Sequence, residues 1–257
     1  MIFRDQLGRE VELKAVPQRI ISLVPSQTEL LYDLGAGERV VGITKFCIHP
    51  KTWFEGKPRI GGTKNIQLEK VGSLKPDLII ANKEENTLED VMKLNKIAPV
   101  WISDVNNLED SVEMILSVGK LIDREEPSLS LVRGIEIAFQ SIKKIEGSAL
   151  YFIWKDPFLV AGQNTFINSM LIESGFVNFC LSERYPEVQP DKWDAPDFVF
   201  LSTEPFPFNQ EHVIQFKKWF PTSKVCLVDG EMFSWYGSRL KKAPEYFNEL
   251  IEKLTQQ

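Results

Sequence analysis

Short apolar runs alternate with helical patterns along most of the chain. Residues 19–24 (RIISLV) form a compact apolar run that stops at Pro25, and residues 40–44, 78–81 and 100–102 repeat the type. Between the runs, Ser26 with Glu29 reads as a capping box opening a helix to about Leu34, closed by Gly35-Ala36-Gly37. A second helix is expected over 68–74, and Thr87 with Asp90 opens a third. Short apolar strands interleaved with helices predict a parallel sheet covered on both faces.

Residues 107–147 break this rhythm. Helical patterns lie near 108–121 and 127–145, with Pro127 suited to a first helical position. Leu131, Ile135, Ala138, Ile142 and Ile145 recur at helical steps in the second pattern. About 19 residues of helix span roughly 28 Å, enough to bridge two lobes. After Gly147 the α/β rhythm resumes, with strands expected at 150–153, 198–201 and 225–228 and helices near 165–174, 211–219 and 243–254. The pattern predicts an α/β fold with two parallel-sheet lobes, 1–122 and 147–257. A single long bridging helix within 123–146 joins them, and a ligand cleft lies between the lobes.

Composition narrows the function. Thirty Lys and Arg against 36 Asp and Glu give a net charge of −6, which argues against a nucleic-acid groove. No run approaches the roughly 18 apolar residues of a membrane span. Two histidines, His49 and His212, exclude sites built on several imidazoles, and the three cysteines show no CxxC spacing. Gly35-Ala36-Gly37 lacks the further glycine of a dinucleotide fingerprint, and neither a Walker A pattern nor a GxSxG elbow occurs. These absences favour a binding protein over an enzyme. Aromatics are plentiful, at 17 Phe, 6 Trp and 5 Tyr.

In open parallel sheets, ligands bind beyond the carboxyl ends of the strands. The segments expected there carry Lys45, Phe46 and Lys64 in the first half, and Trp154, Lys155, Glu204, Phe206, Trp235, Tyr236 and Arg239 in the second. Rings to stack on and cations for anionic groups suit a large, partly planar, polar small molecule. Arg239 has the planar fork for a carboxylate or phosphate. Glu204 and Glu231 can pair with these cations or stand as an acid/base pair. Cys47 and His49 could offer a thiolate and an imidazole to a metal if they extend a strand, where i and i+2 share a face. The alternative is a buried cysteine beside a hydrogen-bonded histidine. Trp53, Trp101, Trp193 and Trp219 are assigned to packing, and His212 to the start of a surface helix.

The run from Arg19 to Glu29, the segment Leu68-Glu69-Lys70-Val71 and the run from Leu74 to Ala81 resemble the substrate-binding proteins of iron-siderophore, haem and vitamin B12 ABC importers. The resemblance covers nearly the whole chain and is nearest to the vitamin B12 branch. It implies a monomeric, non-catalytic receptor with no covalent cofactor, capturing an iron chelate, haem or cobalamin between two lobes. It places Phe46 where a stacking tyrosine is expected and Thr63 near an expected tryptophan. It also implies one acidic residue on each lobe for docking to an ABC permease: Glu69 on the first, and Asp191 on the second with Glu187 as the alternative. The expected compartment is periplasmic, or extracytoplasmic with a membrane anchor. A cytosolic enzyme or cofactor-handling protein on the same scaffold is the second reading, because Met1 to Gln6 carries polar residues where a secretion signal needs an apolar core.

Overall fold

The apolar runs become the strands of two sheets, each in its own α/β unit. The computed structural model describes residues 1–256. Met1–Val105, Glu109–Ile135 and Tyr236–Arg239 make up one unit, and Asn106–Leu108, Glu136–Trp235 and 240–256 the other.

The first unit opens on a hairpin of β1 (Ile2–Arg4) and β2 (Glu10–Glu12), followed by β3 (Ile20–Ser22), α1 (Pro25–Asp33), β4 (Val40–Ile43) and α2 (Lys51–Gly56). The two-residue strands β5 (Gly61–Gly62) and β6 (Asn65–Ile66) precede α3 (Leu68–Ser73), β7 (Leu78–Asn82), α4 (Leu88–Leu94) and β8 (Val100–Ser103). Helices α5 (Leu108–Leu121) and α6 (Glu125–Gln140) follow. The main sheet runs β4-β3-β7-β8, parallel throughout. Its central strands β3 and β7 are buried at every position, which is why they read as unbroken apolar runs. The hairpin covers the outer edge of β8: Gln6 N donates to Ile102 O at 3.1 Å and Trp101 Nε1 to Arg4 O at 3.3 Å.

Two helix ends differ from expectation. Val24, not Ser26, is the N-cap of α1, because Pro25 already holds a helical φ at the first position. Ser26 and Glu29 are both buried, so the expected capping box does not form. Thr87 does cap α4, accepting from Asp90 N at 3.1 Å. Helix α6 has 16 residues, roughly 24 Å, starting two residues before Pro127 and ending five before Ile145. Beyond Gln140 the backbone donors go elsewhere, Lys143 N to Asn248 Oδ1 at 2.6 Å and Ile145 N to Ser174 O at 3.3 Å. The helix passes from the first unit to the second after Ile135.

The second unit contains β9 (Gly147–Trp154), β10 (Leu159–Val160), α7 (Phe166–Glu173), β11 (Phe176–Asn178), β12 (Phe198–Ser202), α8 (Gln210–Trp219), β13 (Lys224–Val228), α9 (Gly230–Ser234) and α10 (Ala243–Thr255). The sheet order is β10-β9-β12-β13, with β11 also on β9 and only β10 antiparallel. Period-2 alternation sorts the aromatic residues onto two faces. Leu150, Phe152, Val199 and Leu201 face a core with Phe216 and Phe220, where the Phe152 and Phe216 rings lie 4.7 Å apart. Tyr151 instead contacts Phe233 at 5.1 Å, and Phe233 contacts Phe247 at 4.8 Å. Much of the aromatic surplus is therefore core. Among the described residues, no helix is long and apolar enough to cross a membrane.

Candidate functional site

At the carboxyl end of the first sheet, the turn after β4 presents Lys45 and Phe46. Phe46 is 50% exposed with Lys45 Nζ 5.0 Å from its ring centroid, and Ile48 beside it is 44% exposed. Lys64 is exposed, whereas Thr63 is buried and its carbonyl accepts from Asn86 Nδ2 at 2.8 Å. Asn86 Oδ1 in turn accepts from Asn82 N, so paired amides brace the rim from below. Lys83 bonds Asp104 at 2.5 Å. Burial pushes the Glu85 carboxyl up, the Glu84 charge adds to this, and Lys64 opposes it.

The same end of the second sheet gathers rings. Trp154, the last residue of β9, is 39% exposed and meets half-buried Phe206 edge-on at 5.9 Å. Phe206 packs on Phe208 at 4.7 Å, and His212 contacts both at 5.5 and 5.3 Å. Half-buried Lys155 follows Trp154. Glu204 is turned inward: its Oε1 accepts from Ser234 Oγ and Trp235 Nε1, both at 2.8 Å. Burial pushes its carboxyl up, against those two donors. A shallow recess of about 560 Å³ opens beside Glu204, Asp229, Glu231 and Tyr246. A recess of about 570 Å³ in the first unit lies by Arg9 and residues 95–100, at the amino end of β8 and so away from the rim.

Several expected site residues are placed differently. Arg239 is 8% exposed and holds Glu29 through two parallel bonds, Nε to Oε2 at 2.8 Å and Nη2 to Oε1 at 2.9 Å, so its fork is already filled from within the first unit. Tyr236 is 8% exposed in the same unit, and burial pushes its hydroxyl pKa up. Trp235 is 7% exposed and bonded to Glu204. The loop expected to carry these residues instead forms α9, capped by Asp229 Oδ1 accepting from Glu231 N, and a short 3-10 turn over Ser238–Lys241.

Cys47 and His49 do not share a strand face, because β4 has ended at Ile43. Cys47 is fully buried, with Sγ 3.1 Å from the hydroxyls of both Thr28 and Thr44. Burial pushes its thiol up in spite of those contacts, which disfavours the thiolate a metal needs. Among the described residues, no three His, Cys, Asp or Glu side chains come together to hold an ion. Glu69, in the first turn of α3, and Asp191 are both exposed. Sequence reasoning gave His212 only a helix start and missed its place against the rings. Asn209 three residues before it is the available signal, since N-cap and N3 positions bond each other.

A family model described as periplasmic binding protein matches residues 20–212. The chain belongs to that family. This member of the periplasmic binding protein family is 34% identical over 180 residues to an uncharacterized ABC transporter substrate-binding lipoprotein, YvrC, of Bacillus subtilis, covering 65% of this chain and 57% of the relative. It is 29% identical over 164 residues to a vitamin B12-binding protein of Vibrio vulnificus, covering 60% and 59%. The matched stretch thus spans less than two thirds of the length of these curated relatives. Among solved structures, a possible iron-binding, periplasmic solute-binding protein of Staphylococcus epidermidis is similar at TM-score 0.76 and 26% identity, over 93% of this chain and 99% of that one. The periplasmic vitamin B12-binding protein of Vibrio cholerae shares the fold at TM-score 0.75 and 22% identity, over 94% and 99%.

Proposed function

We propose that the protein is the substrate-binding component of an ABC importer, working outside the cytoplasm and capturing a large ring-bearing metal chelate or corrinoid without catalysing a reaction on it. The observation that carries this reading is the pair of exposed rings, Phe46 and Trp154, each at the carboxyl end of a parallel sheet and each beside a lysine. Such a rim suits stacking against a flat, partly polar ligand. Charge narrows the ligand further. Lys45 and Lys64 stand on a rim that also bears Glu84 and Glu85, and Lys155 on one that bears Glu204, Asp229 and Glu231. A polyanion would meet more carboxyl groups than ammonium groups there, so a ligand of low net charge fits better. A corrinoid or a neutral ferric chelate leads, and haem follows. The match to vitamin B12-binding proteins supports the same order.

Phe46→Ala and Trp154→Ala are each expected to weaken binding of the preferred probe by roughly 30-fold, about 2 kcal/mol for a central aromatic contact. Thermal midpoints should stay near the parent value, because both rings are substantially exposed. Calorimetric titration checks this. Unaltered affinity in both variants would remove the rims from the binding site.

Glu69 and Asp191 are proposed to meet cations on the permease. Reversing both charges (E69K with D191K) is expected to abolish co-purification with the cognate permease in detergent while ligand binding persists. A complex that survives the reversal would reject this docking.

A further inference from the structure

Among the ring contacts beside Trp154, one side chain can change its charge near neutral pH, and that is His212. It sits at the third position of α8 and takes part in a capping box with Asn209. Asn209 Oδ1 accepts from Glu211 N at 3.0 Å and from His212 N at 3.4 Å, and Asn209 N donates to His212 Nδ1 at 3.1 Å. A neutral imidazole has one N–H, so an accepting Nδ1 places the proton on Nε2. The ring in this tautomer lies edge-on to Phe206 and Phe208, and Phe206 is the ring against which Trp154 packs.

We propose that His212 is a pH-responsive positioning residue: neutral, it closes the turn that carries Phe206 and Phe208 and so holds the Trp154 ring, and protonated, it opens that turn. A proton on Nδ1 would point at the backbone N–H of Asn209, and two donors cannot bond each other. The resulting cation would also stand in the first turn of α8, where the helix dipole is positive. Lys155, from the turn after β9, faces the ring with a like charge, while Glu211 on α8 offsets part of it. The two rings that meet the imidazole, Phe206 and Phe208, carry no charge. Burial and Lys155 accordingly hold the imidazole below its ordinary range.

Protonation is disfavoured in the closed arrangement, so closure is favoured at neutral pH. It is lost as pH falls through the ordinary imidazole range towards the lower value of the closed form. The link to ligand capture rests on the proposed function, but the switch itself can be read without any ligand.

Long-range proton–nitrogen correlation should show the Nε2–H tautomer at pH 7.5. On acidification the Trp154 indole signal should move with the His212 titration, and the protection of the first-turn amides of α8, taken relative to intrinsic exchange at each pH, should fall. His212→Gln keeps a neutral acceptor at the capping position, so in that variant the Trp154 signal and that protection should be flat between pH 7.5 and 5.0. Cyanocobalamin, used as the probe, should bind more weakly to the parent protein at pH 5.0 than at 7.5. In His212→Gln the two affinities should agree. An Nδ1–H tautomer at neutral pH, or a Trp154 signal that ignores the His212 titration, would overturn the proposal. Both spectral changes without any binding of the probe would uphold the switch and count against a corrinoid as the ligand.

Discussion

Glu29→Ala is expected to destabilise the first unit by about 3–5 kcal/mol, the cost of leaving a buried charge without its partner. Glu29 and Arg239 are 210 residues apart in sequence, their side chains are 10% and 8% exposed, and both ends of the guanidinium fork are bonded. Removing the carboxylate takes away both bonds of the Glu29 fork to Arg239 in a site with little water. It also loosens the segment Tyr236–Arg239, which reaches the first unit from the far end of the chain and is held there by Gly237 N donating to Ser111 Oγ as well. Urea unfolding followed through the first unit measures the loss. The expected signature is a lower midpoint at unchanged slope. The double variant Glu29→Leu with Arg239→Leu should recover much of the stability, because a well-packed apolar pair can replace a buried ion pair. A loss below about 1 kcal/mol in Glu29→Ala would place the pair with exposed ones.

Phe216→Ala should cost the second unit a similar amount, about 3–5 kcal/mol. Phe216 is fully buried on α8 and contacts Phe152 at 4.7 Å, Trp219 at 5.0 Å and Phe158 at 5.5 Å. Truncation leaves a void among rings on β9, on the turn before β10 and on α8 itself, so no single shift can fill it. Phe216→Leu retains most of the volume and should lose about 1–2 kcal/mol. Thermal unfolding with Trp219 emission as a reporter would show both. A change under about 1 kcal/mol in Phe216→Ala would mean that the cluster collapses onto the gap and is not a rigid core.

These two sites mark where sequence reading works and where it stops. Strands β3, β7, β8, β9 and β12 were legible because burial on both faces leaves an apolar run, and α5 because its apolar positions repeat at helical steps. Local chemistry was also legible: Thr87 bonds the amide three residues on, as its spacing from Asp90 predicted. Glu29 was not, because its spacing from Ser26 fits a capping box while its true partner lies in another part of the chain. The same limit applies to Trp235, Tyr236 and Arg239. Gly and Ser around them suggest an exposed loop, but Glu204 and Glu29 hold Trp235 and Arg239 inside through contacts that no local pattern encodes, and Tyr236 is buried with them. Phe46, Lys45 and Trp154 remained exposed at the strand ends, where topology alone had put them. The same topology argument had also put Trp235, Tyr236 and Arg239 at strand ends, so position relative to a parallel sheet did not by itself separate exposed from buried residues.

The proposed function has this chain capturing a ring-bearing chelate of low net charge. Isothermal titration of the purified protein with cyanocobalamin, a ferric trihydroxamate, haem and a ferric tricatecholate decides whether it does. One of the two uncharged probes should bind saturably at one per chain with a Kd of micromolar or below, changing little between low and high salt, and the tricatecholate should bind most weakly. Saturable binding of the tricatecholate alone, falling steeply with salt, would contradict the charge reading, and no saturable binding of any of the four would contradict the claim itself.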